Sequence, residues 1–215
     1  MTDAPTVPSQ LGRPRSGRLP RSARKAQLLE VALTVFVEQG YHAASMDEIA
    51  ERAGVSKPVL YQHFPGKLDL YLALINTACD TVIEGVRTAL ASTQDNRRRV
   101  RATMELWFDY VARDDAPVRL VFESDLTSDP EVRDQLDRVT TESATAIAEV
   151  IREDAGMSDE ASHLLAVALV SMGQVSARHW LDSASTVSRE DAVRMLATLA
   201  WRGIGGFPKD EPPTV

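Results

Sequence analysis

Residues 45–63 place the tightest local constraint on this 215-residue chain, because they force two short helices together across a turn. Ser45 and Glu48 form an S-x-x-E capping box that opens a helix carrying Ile49 and Ala50, and Gly54 stops it. A second short segment, Lys57 to His63, starts after Ser56 with Pro58 in its first turn, where a missing N–H costs little. The two meet at Ala53-Gly54-Val55, which is the outline of a helix-turn-helix. Ile49, Ala53, Val55, Leu60 and Phe64 are the apolar set that fixes the angle between them.

The flanks continue in helical period. Leu28, Leu29, Ala32, Val35 and Phe36 predict a helix over 22–39 that Gly40 ends. After Pro65-Gly66, Leu70, Leu74, Ala78, Val82, Val86 and Leu90 recur at i+4 in a helix of about six turns. Further helices are predicted at 97–112, at 117–123, from a Ser128-x-x-Glu131 box to Asp154, from Ser158 to Leu181 and from Ser188 to Gly203. The expected fold class is all-α.

Composition narrows the function classes. With 44% apolar residues and 26% charge the chain buries a real core. The single cysteine, Cys79, excludes an intrachain disulfide or a cysteine-rich zinc site and fits a reducing cytoplasm. No apolar run approaches the ~18 residues of a membrane span, and no apolar segment follows the basic N-terminus as a signal peptide requires, so no membrane partner is expected. Residues 1–67 hold nine Lys/Arg against six Asp/Glu, while 68–215 hold 15 against 25. Arg13, Arg15, Arg18, Arg21, Arg24 and Lys25 cluster without an acid among them, around helix-breaking Gly12, Pro14, Gly17 and Pro20. By itself this stretch reads equally as a solvated tail or as an arm seeking phosphate.

The run Gly40-Tyr41-His42-Ala43-Ala44-Ser45-Met46-Asp47-Glu48-Ile49-Ala50-Glu51-Arg52-Ala53-Gly54-Val55-Ser56, followed by Leu60-Tyr61-Gln62-His63-Phe64 and Lys67, resembles the signature of TetR-type transcription regulators. More narrowly, Gly40 to Ala44, Lys57 to Phe64, Asp95-Asn96-Arg97 and Arg178-x-Trp180-Leu181-Asp182 are similar to actinobacterial regulators of fatty-acid synthase genes that sense long-chain acyl-CoA. The resemblance implies an N-terminal three-helix helix-turn-helix DNA-binding domain and a C-terminal helical domain for ligand binding and dimerisation. Four parts are expected: a flexible basic arm over 1–20, the DNA-binding domain over 21–67, the ligand-binding and dimerisation domain over 68–205 and a tail over 206–215. The expected partners are double-stranded operator DNA, a second copy of the chain in a homodimer, and a small hydrophobic effector, either a long-chain acyl-CoA or a different hydrophobic molecule as in a multidrug-type TetR repressor; the alternative is a ligand-binding adaptor without operator recognition.

In a helix-turn-helix the second helix enters the major groove by its N-terminal end. Lys57 is placed there to reach a guanine edge or a phosphate, Pro58 and Val59 to meet thymine methyls, and Gln62 to read adenine if its face turns inward. Tyr61 and His63 read as backbone anchors. Ser45, Met46 and Ser56 stand at helix starts that face phosphate, where the hydroxyls serve as caps, phosphate donors or both, and Lys67 opens the next helix beside the same backbone. Arg18 and Arg21 extend this set into the arm, whose reading shifts toward DNA beside such a neighbour.

The remainder holds no catalytic constellation. Its histidines are scattered, no G-x-S-x-G or H-x-x-x-H occurs, and Ser171, His163 and Asp182 lie too far apart along one helix to hydrogen-bond. No enzyme, metal or cofactor is expected. The helices at 158–181 and 188–203 are apolar nearly all round, as when one face meets a core and the other a symmetry mate. Val82, Val86, Leu90, Trp107, Phe108, Val111 and Phe122 are bulky and helically phased, as core or as the wall of an apolar effector cavity. A CoA head group wants cations at the mouth, for which Arg97, Arg98, Arg99 and Arg101 are candidates. Arg178 serves the ligand or forms a buried ion pair with Glu123 or Asp125.

Deleting residues 1–20 is expected to weaken DNA binding across all sequences and to flatten the plot of log K against log salt by roughly 0.9 for each phosphate no longer neutralised. A salt titration of the truncated chain checks this, and an unchanged slope assigns the tail to solubility alone.

Overall fold

The computed structural model describes residues 19–112, 126–183 and 186–204, which form eight helices and no strand. These are α1 (Arg21–Ala43), α2 (Met46–Arg52), α3 (Lys57–His63), α4 (Lys67–Ala91), α5 (Asn96–Ala112), α6 (Pro130–Ala155), α7 (Asp159–Asp182) and α8 (Arg189–Ile204). The expected segment at 117–123, the arm before residue 19 and the tail after 204 lie outside the described residues.

Local chemistry accounts for most of the helix ends. Gly40 is where the regular helix breaks, but its φ of 77° makes a kink rather than a stop, and helical turns resume to Ala43. Ser45 Oγ accepts from Glu48 N at 3.2 Å, so the first half of the capping box forms. Its second half does not, because the Glu48 carboxylate is drawn to Gln39 at 2.7 Å and Arg52 at 2.8 Å. Gly54 closes α2 at φ +64° with open space around its Cβ position, so conformation and not crowding demands glycine there. The start of α6 corrects the expected Ser128 box. Asp129 is the cap, accepting from Glu131 N at 2.9 Å and Val132 N at 3.2 Å, and Pro130 fills the first helical position.

Helices α1 to α3 form a small head in which α1 lies on α2 and α4, and α2 on α3. Leu28, Ala32, Val35 and Phe36 of α1 meet Ile49 and Leu60, all at most 2% exposed. The body is built on α4, a rod about 38 Å long at 1.5 Å per residue, which packs on α5 and α6, while α7 lies against both α5 and α6. Two glycines set how closely these rods approach. A side chain at Gly85 would strike Tyr110, and one at Gly173 would strike the indole of Trp107.

One side chain gathers most of the turn between α4 and α5, beside Asp95, which accepts from Arg97 N and Arg98 N. Arg99, with only 12% of its side chain exposed, donates to Leu90 O at 3.0 Å, Thr93 O at 2.8 Å, Asn96 at 2.9 Å, Gln94 at 2.8 Å and Asp154 of α6 at 3.0 Å. Hydrogen bonds to a charged donor are each worth about 1.5–3 kcal/mol net. Arg99→Met should therefore cost ~2–4 kcal/mol in urea unfolding followed by circular dichroism, and a loss below ~1 kcal/mol would show the turn to be self-supporting.

Candidate DNA-binding face and effector cavity

The α2–α3 unit offers one edge to solvent. Ser56, Lys57, Pro58, Tyr61 and Gln62 are exposed, Tyr61 by 46%, while Leu60 between them is fully buried. This follows from the 3.6-residue period, which puts 57, 58, 61 and 62 on one side of α3 and 60 on the other. Val59 and His63 are half-buried at the edges of that face. Ser56 makes no side-chain cap bond, in contrast to Ser45. The turn beneath is braced from α1, where Gln27 Nε2 donates to Ala53 O at 3.2 Å.

Two expected members of the face have other positions. Met46 is 8% exposed and packs in the head core, since the first residue of α2 turns inward. Lys67 is spent within the protein: its ammonium donates to Tyr41 O at 2.8 Å, His42 O at 3.3 Å and Ala44 O at 2.9 Å, and stands 4.5 Å from the Tyr41 ring centroid. With three donors and three carbonyls, it caps the end of α1. Arg21 is exposed at the first position of α1, and Arg18 is outside the described residues. Sequence reasoning missed Asp47, whose Oδ2 lies 2.6 Å from Lys57 Nζ.

A cavity of about 290 Å³ opens at the end of the body far from Lys67. Leu90, Val100, Met104, Ile147, Val150, Ile151, Leu169 and Trp201 supply its apolar wall, and Asn96, Arg99, Thr103 and Asp154 its polar groups. The Thr103 hydroxyl is turned back to Arg99 O at 2.9 Å. Of the expected wall residues Leu90 is among the lining. Val82, Val86, Trp107, Phe108 and Val111 are instead packed solid in the core, none more than 7% exposed, because Gly173 lets Trp107 close the interior from α7. Phe122 is outside the described residues. The Arg178 side chain is 59% exposed, so it is not buried, and it pairs along its own helix with Asp182 at 3.8 Å, while the expected partners Glu123 and Asp125 lie outside the described residues. Of the four candidate head-group cations, Arg99 is consumed by the turn and Arg101 is paired with Glu105 at 2.8 Å. Arg97 and Arg98 stay exposed at the start of α5, next in sequence to the cavity-lining Asn96 and Arg99, Arg98 with a loose 3.8 Å pairing to Asp95.

No cluster of three His, Cys, Asp or Glu among the described residues stands ready for a metal. Cys79 is buried, its thiol donates to Gln135 O at 3.4 Å, and burial pushes its pKa up to about 11, so it stays protonated and unreactive. No described helix is long and apolar enough to cross a membrane.

A three-helix head that presents the second helix of a tight helix-turn-helix, carried on a helical body with an apolar cavity, defines a DNA-binding regulator of the helix-turn-helix class. Residues 28–74 match the family model for bacterial regulatory proteins of the tetR family. The chain is 46% identical to the HTH-type transcriptional activator FasR of Mycolicibacterium smegmatis, over 92% of this chain and 90% of that one. A TetR-like transcriptional regulator from Rhodococcus sp. RHA1 superposes with a TM-score of 0.63 at 28% identity, covering 88% of this chain and 100% of the other. The regulator FadR from Bacillus subtilis, solved in complex with stearoyl-CoA, superposes at 0.65 with 18% identity over 85% of this chain and 99% of its own. The chain belongs to the TetR family. It is a transcription regulator and not an enzyme.

Lys57→Ala and Tyr61→Ala are each expected to cost ~1–3 kcal/mol in specific DNA binding with helical content unchanged. Gel shifts and circular dichroism on both variants check this, and wild-type operator affinity in both would remove α3 as the reading helix.

Proposed function

We propose that this regulator controls lipid-metabolism genes and that a long-chain acyl-CoA, lodged by its acyl chain in the cavity walled mainly by α5 and α6, sets its affinity for operator DNA. The observation that carries the reading is the cavity itself. Apolar side chains make up most of its lining, and its most buried polar partners, Arg99 and Thr103, are already satisfied internally, so little remains to hold a sugar or a polar drug. Its size is near the bottom of the roughly 300–1,000 Å³ usual for ligand sites, which suits one slender chain with its polar end outside. Arg97 and Arg98 are where such an end carries its phosphates. The 46% identity to FasR over most of both chains supports the same reading, as does the fold shared with the stearoyl-CoA complex of FadR.

The assembly is a homodimer. Leu164 and Val175 on α7 and Met195 and Leu199 on α8 are each at least 62% exposed, a concentration of bare apolar side chains on the last two helices. A second copy laid against them forms a four-helix interface and fixes the separation of the two α3 helices. Successive major grooves on one DNA face lie about 34 Å apart. Effector binding shifts the population between spacings that match this repeat and spacings that do not.

Leu90→Phe should fill the cavity and weaken acyl-CoA binding at least about tenfold, equivalent to ~1.4 kcal/mol, with DNA affinity spared because α3 is at the other end of the molecule. Calorimetry with long-chain acyl-CoA and fluorescence anisotropy of a labelled operator read the two effects. No acyl-CoA binding by the wild type, or full ligand response in Leu90→Phe, defeats the proposal.

A further inference from the structure

We infer that Asp47 determines specificity in DNA binding by holding Lys57 away from phosphates while leaving it free for base edges. Lys57, the first residue of α3, is bridged at 2.6 Å to Asp47, the second residue of α2, and the two side chains are 60% and 61% exposed. An ion pair so open to water contributes little to stability. The angle between the two helices is in any case fixed from beneath by buried Ile49, Ala53, Leu60 and Phe64. The pair therefore adds little to holding α2 against α3. Its consequence is electrostatic. Arg52, the other cation of the α2–α3 unit, is held by Glu38 at 2.6 Å and Glu48 at 2.8 Å, so both cations of the unit carry a carboxylate partner.

An ammonium has three N–H donors. With one given to Asp47, Lys57 retains two for DNA. A guanine edge accepts through neutral O6 and N7 and is bonded without displacing the carboxylate. A phosphate carries a full negative charge, so it must either break the pair or sit beside Asp47 at a repulsive cost. Since phosphates are the same at every site and base edges are not, the carboxylate suppresses the sequence-independent part of binding and spares the specific part. The sequence-independent attraction is then left to cations outside the α2–α3 unit, such as exposed Arg21 and Lys25 at the start of α1.

The test is Asp47→Asn, which removes the charge at nearly constant shape, assayed in the full-length protein. The probes are a duplex that the wild type selects from a random pool and a scrambled duplex of equal length and composition. The released lysine should neutralise one further phosphate on scrambled DNA. Binding there should tighten about eightfold at 0.1 M salt, and the slope of log K against log salt should steepen by about 0.9. Affinity for the selected duplex should rise less, so the specificity ratio falls. In a Lys57→Ala background the same substitution should have no such effect. Unchanged affinity and slope on scrambled DNA overturn the inference. So does a gain of equal size without Lys57, which would mean that Asp47 repels the backbone directly, and so does a loss confined to the selected duplex, which would make Asp47 itself a base reader. Thermal unfolding of the single variant within the wild-type range separates all of these from a folding defect.

Discussion

The ammonium of Lys67 joins the two parts of this molecule. It sits at the first position of α4 and closes the last carbonyls of α1, at Tyr41, His42 and Ala44, while standing over the Tyr41 ring. Tyr41 in turn packs edge-on to Tyr71 of α4 with centroids 5.0 Å apart, and Tyr71 does the same to Phe36 of α1 at 5.1 Å. A cation on the carbonyl end of a helix and over an aromatic face gains on both counts. Burial, with Asp129 at the start of α6 adding to it, raises the Tyr41 phenol pKa above its ordinary value. Thus α4 and the entry to α6 both reach the same joint. Rotation of the head relative to the body cannot occur without disturbing it, so displacement of α4 is felt at α1 and through it at the turn that Gln27 braces.

Where the body is solid and where it is open follows from side-chain volume along its two long rods. Along most of their length Ile75, Val82 and Val86 of α4 and Trp107 and Phe108 of α5 are fully buried, and glycine at 85 and 173 leaves room for the rings of Tyr110 and Trp107. Toward the far end the apolar residues become smaller or half-buried, at Leu90, Val100 and Leu169, and a void results. Helices α4 and α6 each run from that void to the joint, and they are tied along the way by Arg138, which pairs with Asp80 of α4 at 2.8 Å and with Glu142 at 3.3 Å. An occupant that wedges the far ends apart therefore loads a stiff, cross-linked pair of rods and not a single flexible helix.

The recognition unit is legible in the sequence because its determinants are local. A serine cap, a left-handed glycine and a proline in the first turn each act on backbone within a few residues of themselves, as they do here at Ser45, Gly54 and Pro58. The cavity is not legible, since amphipathic phasing reports only that a residue faces inward. Val86 and Leu90 have the same phase on α4, yet one is buried in contact and the other faces space. Lys67 and Arg99 escape sequence reasoning for a related reason. Each is a cation at a helix start, where sequence suggests an outward role, but each spends its donors on carbonyls or acceptors brought in by chain reversal, up to 26 residues away for Lys67 and 55 for Arg99. Asp129 outcompeting Ser128 as a cap is the local exception, because the adjacent Pro130 fixes which residue precedes the first turn.

Charge distribution and dimer geometry act on the same quantity. A net charge of −7 opposes approach to DNA, so the acidic body must be kept away from the duplex while the head is brought to it. Placing the bare apolar side chains on α7 and α8, with the reading face on α3, meets this need. In the proposed homodimer, two copies joined through these helices would present both heads to one face of a duplex and hold their like-charged bodies together by apolar burial. Affinity then depends on two heads engaging at once, and a change in their separation weakens binding even though neither α3 has altered. On the proposed reading, an occupant of the cavity would have no need to touch α3; it would need only to bias the angle at which each α4 leaves the dimer.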